Sequence, residues 1–224
     1  MLEIEKINVF YNDFHVLHDL SLKVNHGELV GLVGANGHGK STLLKAICGL
    51  VPIRSGRIEF NCEDIKGLEA PDLVERGVVY VAEERNLFLD MTVKENLELG
   101  AYLPLAQKKM AENMEMVFDL YPRLAERHNQ IAKTLSGGEA QMLALGRGLM
   151  SSAEFMAIDE PSLGLAPNLV HEMFQTIKKV NSQGVAILIV EQNLAQLNGV
   201  MKRVYKLEEG QIVGQHSETV CNHS

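Results

Sequence analysis

Gly34-Ala35-Asn36-Gly37-His38-Gly39-Lys40-Ser41 continues the nearly all-apolar stretch ELVGLVG (28–34) and leads into STLLKAICGL (41–50), whose apolar spacing is helical and stops near Gly49. The octapeptide fits G-x-x-x-x-G-K-[ST], the Walker A pattern of a phosphate-binding loop. Glycines let the backbone turn tightly and point several N–H groups at phosphate oxygens. A helix starting at Lys40 adds the positive end of its dipole. Lys40 is placed to reach β- and γ-phosphates, and the Ser41 hydroxyl to ligate Mg²⁺. Gly34, Asn36, Gly37, Gly39 and Thr42 complete the candidate cradle. A strand this uniformly apolar is expected to be covered on both faces, which points to an α/β architecture that binds nucleotide.

Working outward, residues 1–35 read as short strands with alternating apolar positions, and Arg57–Phe60 and Gly77–Ala82 as two more. Between 85 and 151 the texture changes. Met110, Met114, Val117, Phe118 and Tyr121 fall on one helical face that ends before Pro122, and Met142, Leu145 and Leu149 form a stripe on a second helix after Ser136. The Met110/Met114 stripe reads as core rather than as a docking surface. Strand and helix alternate again from Phe155: a strand to Asp159, a helix over 168–181, the strand Val185–Val190, and a hairpin over 203–214. The pattern predicts one domain, with core segments 1–84 and 152–224 and a helical subdomain inserted over 85–151.

Composition bounds the function. The chain has 224 residues, 46% apolar and 22% charged, an ordinary globular balance that excludes disorder. Its net charge is −8, from 21 Lys+Arg against 29 Asp+Glu, and adjacent basic residues occur only in pairs, so a nucleic-acid partner is not expected. Cys48, Cys62 and Cys221 are scattered and read as reduced thiols. The eight His form no metal motif. No stretch reaches the ~20 apolar residues of a membrane helix. The start MLEIEKINVF lacks the features of a signal peptide, so a soluble, cytoplasmic chain is expected.

Two further segments carry chemistry. Phe155-Met156-Ala157-Ile158-Asp159-Glu160 is an apolar strand ending in two acids. Beside the phosphate loop, Asp159 would hold Mg²⁺ and Glu160 would act on an attacking water as general base. Leu135-Ser136-Gly137-Gly138-Glu139 precedes a helix; taken alone, it is a serine-capped helix start with glycines that could also meet an anion.

Taken together, the Walker A loop, LSGGE at 135–139 and the apolar strand ending in Asp159-Glu160-Pro161 resemble the ATP-binding subunit of an ABC transporter, over nearly the whole chain from Tyr11 to about Gly214. The resemblance implies a P-loop NTPase (RecA-like) core with an N-terminal antiparallel β subdomain and a helical insert. It implies a head-to-tail dimer in which Ser136, Gly137 and Gly138 of one subunit complete the ATP site at Lys40 of the other. It also implies an aromatic stacked on adenine, at Tyr11 or alternatively Phe10 or Phe14.

The sequence departs from the general pattern at three places. Glu83 stands where the family usually has a Gln that senses Mg²⁺ and water, Gln192 where it has a switch His, and Ala166 where it has an Asp. A neutral Gln192 amide can donate to a γ-phosphate but cannot carry the charge of an imidazolium. With DEPSLGLAP and VEQN, these departures are similar to the smaller ATPase of branched-chain amino acid importers. That resemblance implies ATP and Mg²⁺ as ligands, two membrane permease subunits, and a second ABC ATPase or a second copy as dimer partner. It further implies an indirect link to a substrate-binding protein, and a place on the cytoplasmic face of the inner or plasma membrane. An importer of urea or other amides and a soluble ABC-type ATPase without permease are the alternatives. Gly148, where Ala is usual, carries a helix-propensity cost of about 1 kcal/mol, and the ending HSETVCNHS is shorter than the family's usual helical tail.

Overall fold

The computed structural model describes residues 1–197 and 199–217. The tail from 218 onward, with Cys221, lies outside the described residues. β1 (Leu2–Tyr11) and β2 (Phe14–Val24) form an antiparallel pair. In β1 the buried side chains are Leu2 and Ile4, then Ile7 and Val9. The change of phase is absorbed at Lys6, whose φ of 45° marks an irregularity that keeps the later apolar residues on the core side.

β3 (Leu29–Val33) runs into the glycine loop and α1 (Lys40–Ile47). β4 (Ile53–Phe60) is longer at its start than the sequence pattern suggests, because Ile53 and Ser55 pair with Val9 and Asn8 of β1. β5 (Glu63–Asp64), α2 (Ala70–Glu75) and β6 (Val78–Val81) follow. The next stretch is wholly helical: α3 (Val93–Gly100), α4 (Pro104–Lys108), α5 (Met110–Leu120), α6 (Pro122–Glu126) and α7 (Gly137–Leu149). Only α5 and α7 stand out in the sequence. α3 begins at a Thr92/Glu95 capping box, a signal present in the chain but short. β7 (Phe155–Asp159), α8 (Pro167–Ser182), β8 (Ala186–Glu191), α9 (Leu194–Leu197), β9 (Arg203–Glu208) and β10 (Gln211–Ser217) complete the described chain.

The strands make two sheets. One is antiparallel in the order β2-β1-β4-β5; the other runs β10-β9-β3-β8-β7-β6, parallel except for the edge strand β10. β3, β7 and β8 are buried along their whole length, as the sequence predicts for β3. Their side chains alternate between two apolar clusters. Val78, Phe155, Ala157, Leu188 and Val190 face α1 and the antiparallel sheet, while Val79, Val81, Met156, Ile158, Ile187 and Ile189 face the helical layer. Met110 and Met114 pack against this second cluster, in keeping with a core role.

Gly148 has a packing reason. A Cβ there would lie 3.0 Å from the Met156 methyl and 3.3 and 3.4 Å from methyls of Val79 and Val81. Its missing side chain therefore lets α7 lie close on β6 and β7.

Candidate functional site

The parallel order β3-β8-β7 brings three strand ends side by side: the glycine loop after β3, Asp159-Glu160 at the end of β7, and Glu191-Gln192 at the end of β8. Ligand sites in open α/β sheets form at such carboxyl ends. α1 is fixed by the burial of Leu43, Leu44 and Ile47, each worth roughly 1.5–3 kcal/mol, so its N-terminus has a set direction. Gly39 sits just ahead of it at φ 98°, and a Cβ there would come 2.7 Å from a Leu17 methyl. Only glycine meets both demands.

A cavity of about 290 Å³ opens over the loop, lined by Asn36, Gly37, Gly39, Lys40, Ser41, Thr42, Glu83, Glu160 and Gln192, with Val16 and Leu163 at its sides. Gly34 lies at the loop's start, where its N–H donates to the Glu191 carbonyl. Lys40 is 4% exposed; its Nζ lies 3.0 Å from Glu160 Oε1 and donates to the Ala35 carbonyl at 3.2 Å. Gln192 Nε2 donates to Glu160 Oε2 at 3.1 Å and also to Asn36 Oδ1. Glu160 has φ 39°, a left-handed value that a non-glycine residue holds only under constraint.

Ser41 Oγ donates to Asp159 Oδ1 at 3.0 Å, and the Tyr80 hydroxyl donates to Asp159 Oδ2 at 2.8 Å. Burial holds the Asp159 carboxyl above its usual range despite these two bonds. Glu83 is raised by burial and then by the charges of Glu160, Asp159 and Glu84. Burial pushes Glu191 up to about 7, against hydrogen bonds from Ser162 and the Gln192 N–H. Among the described residues no three His, Cys, Asp or Glu side chains form a metal cage. The hydroxyl of Ser41 beside the Asp159 carboxylate is instead a hard oxygen pair that suits a divalent cation shared with phosphate oxygens.

Other candidate residues stand apart. Ser136 and Gly137 are exposed at the start of α7, outside the cavity of their own chain. Ser136 caps that helix in a capping box with Glu139, and Glu139 pairs with Arg127 at 3.2 Å. Gly138 is buried, and a Cβ on it would meet a Leu169 methyl at 2.9 Å. Tyr11 is 45% exposed at the end of β1. Of its alternatives, Phe10 has its ring stacked on His15 at 4.0 Å and faced by the Arg54 guanidinium, whereas Phe14 is 72% exposed. Sequence reading passed over Tyr80 and Glu191. Both are polar groups inside apolar strands, a signal visible in GVVYVA and ILIVEQ.

Residues 17–163 match the family described as ABC transporter. The chain is 42% identical over 213 residues to the high-affinity branched-chain amino acid transport ATP-binding protein BraG of Pseudomonas aeruginosa, covering 95% of this chain and 91% of that protein. It is 33% identical to an Archaeoglobus fulgidus protein named as a probable branched-chain amino acid transport ATP-binding protein, LivF, covering 95% and 90%. A solved nucleotide-free ATP-binding cassette from an ABC transporter superposes with a TM-score of 0.87 at 28% identity, covering 97% of this chain and 91% of that one.

Proposed function

This chain belongs to the ABC transporter family and is an ATP-binding cassette ATPase, and from that premise we propose that it is the motor subunit of an importer for branched-chain amino acids. The cargo rests on the 42% identity to the Pseudomonas protein over nearly the full length of both chains. The chemistry rests on one observation, the Lys40–Glu160–Gln192–Asn36 network at the mouth of the phosphate cavity.

Lys40 and Glu160 balance each other's charge at 3.0 Å. An arriving triphosphate supplies a stronger set of oxygens, and Lys40 turns to the β- and γ-phosphates. Glu160 then loses its cation and is free to orient a water molecule. In hydrolysis the water oxygen bonds to the γ-phosphorus, the bond to the β–γ bridging oxygen breaks, and Glu160 accepts the water's proton. Gln192, already within reach of Glu160, donates its amide to the γ-phosphate or the water. Ser41, Asp159 and Glu83 are the side chains that would hold Mg²⁺, which neutralises phosphate charge when bound. Tyr11 stacks on the base. Ser136, Gly137 and Gly138 of a second subunit, either this chain or a related ATPase, close the site from outside.

A groove of about 410 Å³ between β6 and the helical layer, with Leu50, Phe88, Leu99 and Tyr102 on its rim, would receive a permease helix at the cytoplasmic face of the membrane. No described helix is long and apolar enough to cross a membrane.

Glu160→Gln is expected to keep ATP binding, abolish turnover and trap an ATP-bound dimer. Turnover like the parent's rules out Glu160 as base. Lys40→Ala is expected to lose nucleotide affinity, measured with a fluorescent ATP analogue; unchanged affinity removes the phosphate-loop assignment. Detergent extracts should yield permeases with the tagged chain, and recovery of soluble partners alone favours an ATPase without permease.

A further inference from the structure

Glu191 ends an otherwise apolar strand, is 2% exposed, and among the described residues pairs with no lysine or arginine. A carboxylate buried without a cation is costly and calls for a local reason. Its surroundings supply one. Oε1 of Glu191 accepts the Ser162 N–H at 3.1 Å. The Glu191 carbonyl accepts the N–H of Gly34, the first residue of the phosphate loop, at 3.3 Å. One residue earlier, the Val190 carbonyl accepts the Glu160 N–H at 3.1 Å. One residue later, Gln192 donates to the Glu160 carboxylate. Ser162 Oγ meanwhile donates to Gln196 Oε1 at 2.8 Å, tying the same turn to α9.

The turn after β7 needs such an anchor. Glu160 is held at a left-handed φ, and Pro161 offers no N–H. Ser162 N–H is therefore the first backbone donor after Glu160, and the Glu191 carboxylate is what receives it. The Glu160 N–H on one side and the Ser162 N–H on the other are thus both bonded to the end of β8. The Leu163 N–H also closes the turn on the Glu160 carbonyl at 3.1 Å, but that bond is internal to the turn. Losing the Ser162–Glu191 bond removes one of the turn's two backbone ties to β8 and weakens the hold on the left-handed Glu160, so its carboxylate can move away from Gln192 and Lys40.

We propose that Glu191 is a positioning residue for ATP hydrolysis: by holding the 160–163 turn on the end of β8, its carboxylate fixes where Glu160 and Gln192 meet above the phosphate loop. Glu191 touches neither ATP nor the reacting water and acts through Glu160. The inference rests on the reading of Glu160 as the base.

The test compares Glu191→Ala, Glu191→Gln and Glu191→Asp with the parent and with Glu160→Gln, each as the full chain in the complex it co-purifies with. Glu191→Ala is expected to lower kcat at least tenfold while ATP affinity stays within about twofold, since Lys40 and the glycine loop are untouched. Glu191→Gln keeps an oxygen for the Ser162 N–H and is expected to stay within about threefold of the parent kcat. Glu191→Asp, one methylene short but still a carboxyl group, is expected to fall between them and serves if the alanine variant does not fold. Parental kcat in the Ala or Asp variant, or a loss in the Gln variant equal to that in the Ala variant, overturns the positioning role. Parental turnover in Glu160→Gln instead overturns the reading of Glu160, so the two failures are distinct.

Discussion

Lys40 and Glu160 are only 4% and 7% exposed, so each carries a charge that the other must balance. Removing one partner of a buried pair strands the other, at a cost of about 3–5 kcal/mol. Glu160→Gln keeps an acceptor for Lys40 and is the milder change. Tyr80→Phe deletes the hydrogen bond to Asp159 Oδ2, and a bond of that kind to a charged group is worth roughly 1.5–3 kcal/mol. Urea denaturation should show a loss of that size, and an unchanged midpoint would mean the phenol does not support Asp159. Glu191 adds a pH dependence. Its carboxyl titrates near 7 when folded against an ordinary value of 4.5. Between those pH values the native state holds a proton that the unfolded chain has released. Stability therefore falls as pH rises from about 4.5 to 7 and stays lower above 7, by an amount on the order of 3 kcal/mol. Glu191→Gln has no such proton. Its stability from pH 5 to 8 should be flatter than the parent's. Parallel curves for the two proteins would remove Glu191 as the source.

At the scale of elements, two helices show where local preference gives way to context. Ala166, the residue just ahead of α8, has extended backbone but no side-chain oxygen to bond the helix's first free N–H groups. Ala166→Asp supplies that acceptor and should raise stability by about 1 kcal/mol in denaturant titrations. In α7, Gly148→Ala gains about 1 kcal/mol of helix propensity. It also pushes a methyl toward Met156, Val79 and Val81, and overpacking costs about 1–3 kcal/mol. A net loss is expected, because two of the three neighbours are stiff β-branched side chains. A stabilised variant would show that β6 and β7 yield more easily than their burial suggests. These elements also mark what the chain discloses before folding. β3, α1, α7 and β7 are legible because motif and periodicity coincide in one stretch. α4 and α6 have only five residues each, too few for a helical period to register. The Tyr80–Asp159 and Ser162–Glu191 bonds join residues 79 and 29 positions apart. They depend on the β8-β7-β6 strand order, which no local pattern states.

For the whole molecule, the decisive feature is that the site residues fall on two separate surfaces. Asn36, Lys40, Ser41, Glu83, Glu160 and Gln192 line one cavity, whereas Ser136 and Gly137 are exposed at the tip of α7 outside it. Binding and closure should therefore be separable by mutation. Ser136→Arg places a bulky cation where a second subunit's nucleotide would meet α7, and loses the cap that Ser136 gives Glu139 N–H, worth about 1 kcal/mol. It leaves the phosphate loop intact. In the Glu160→Gln background, ATP should still bind with affinity within about twofold, yet the ATP-bound dimer expected of Glu160→Gln should fail to form on size exclusion. Ser136→Asn retains the capping oxygen and controls for helix fraying. If Ser136→Arg weakens nucleotide binding by the lone chain as much as it weakens association, the signature residues belong to their own subunit's site. The two-subunit ATP site would then have to be withdrawn.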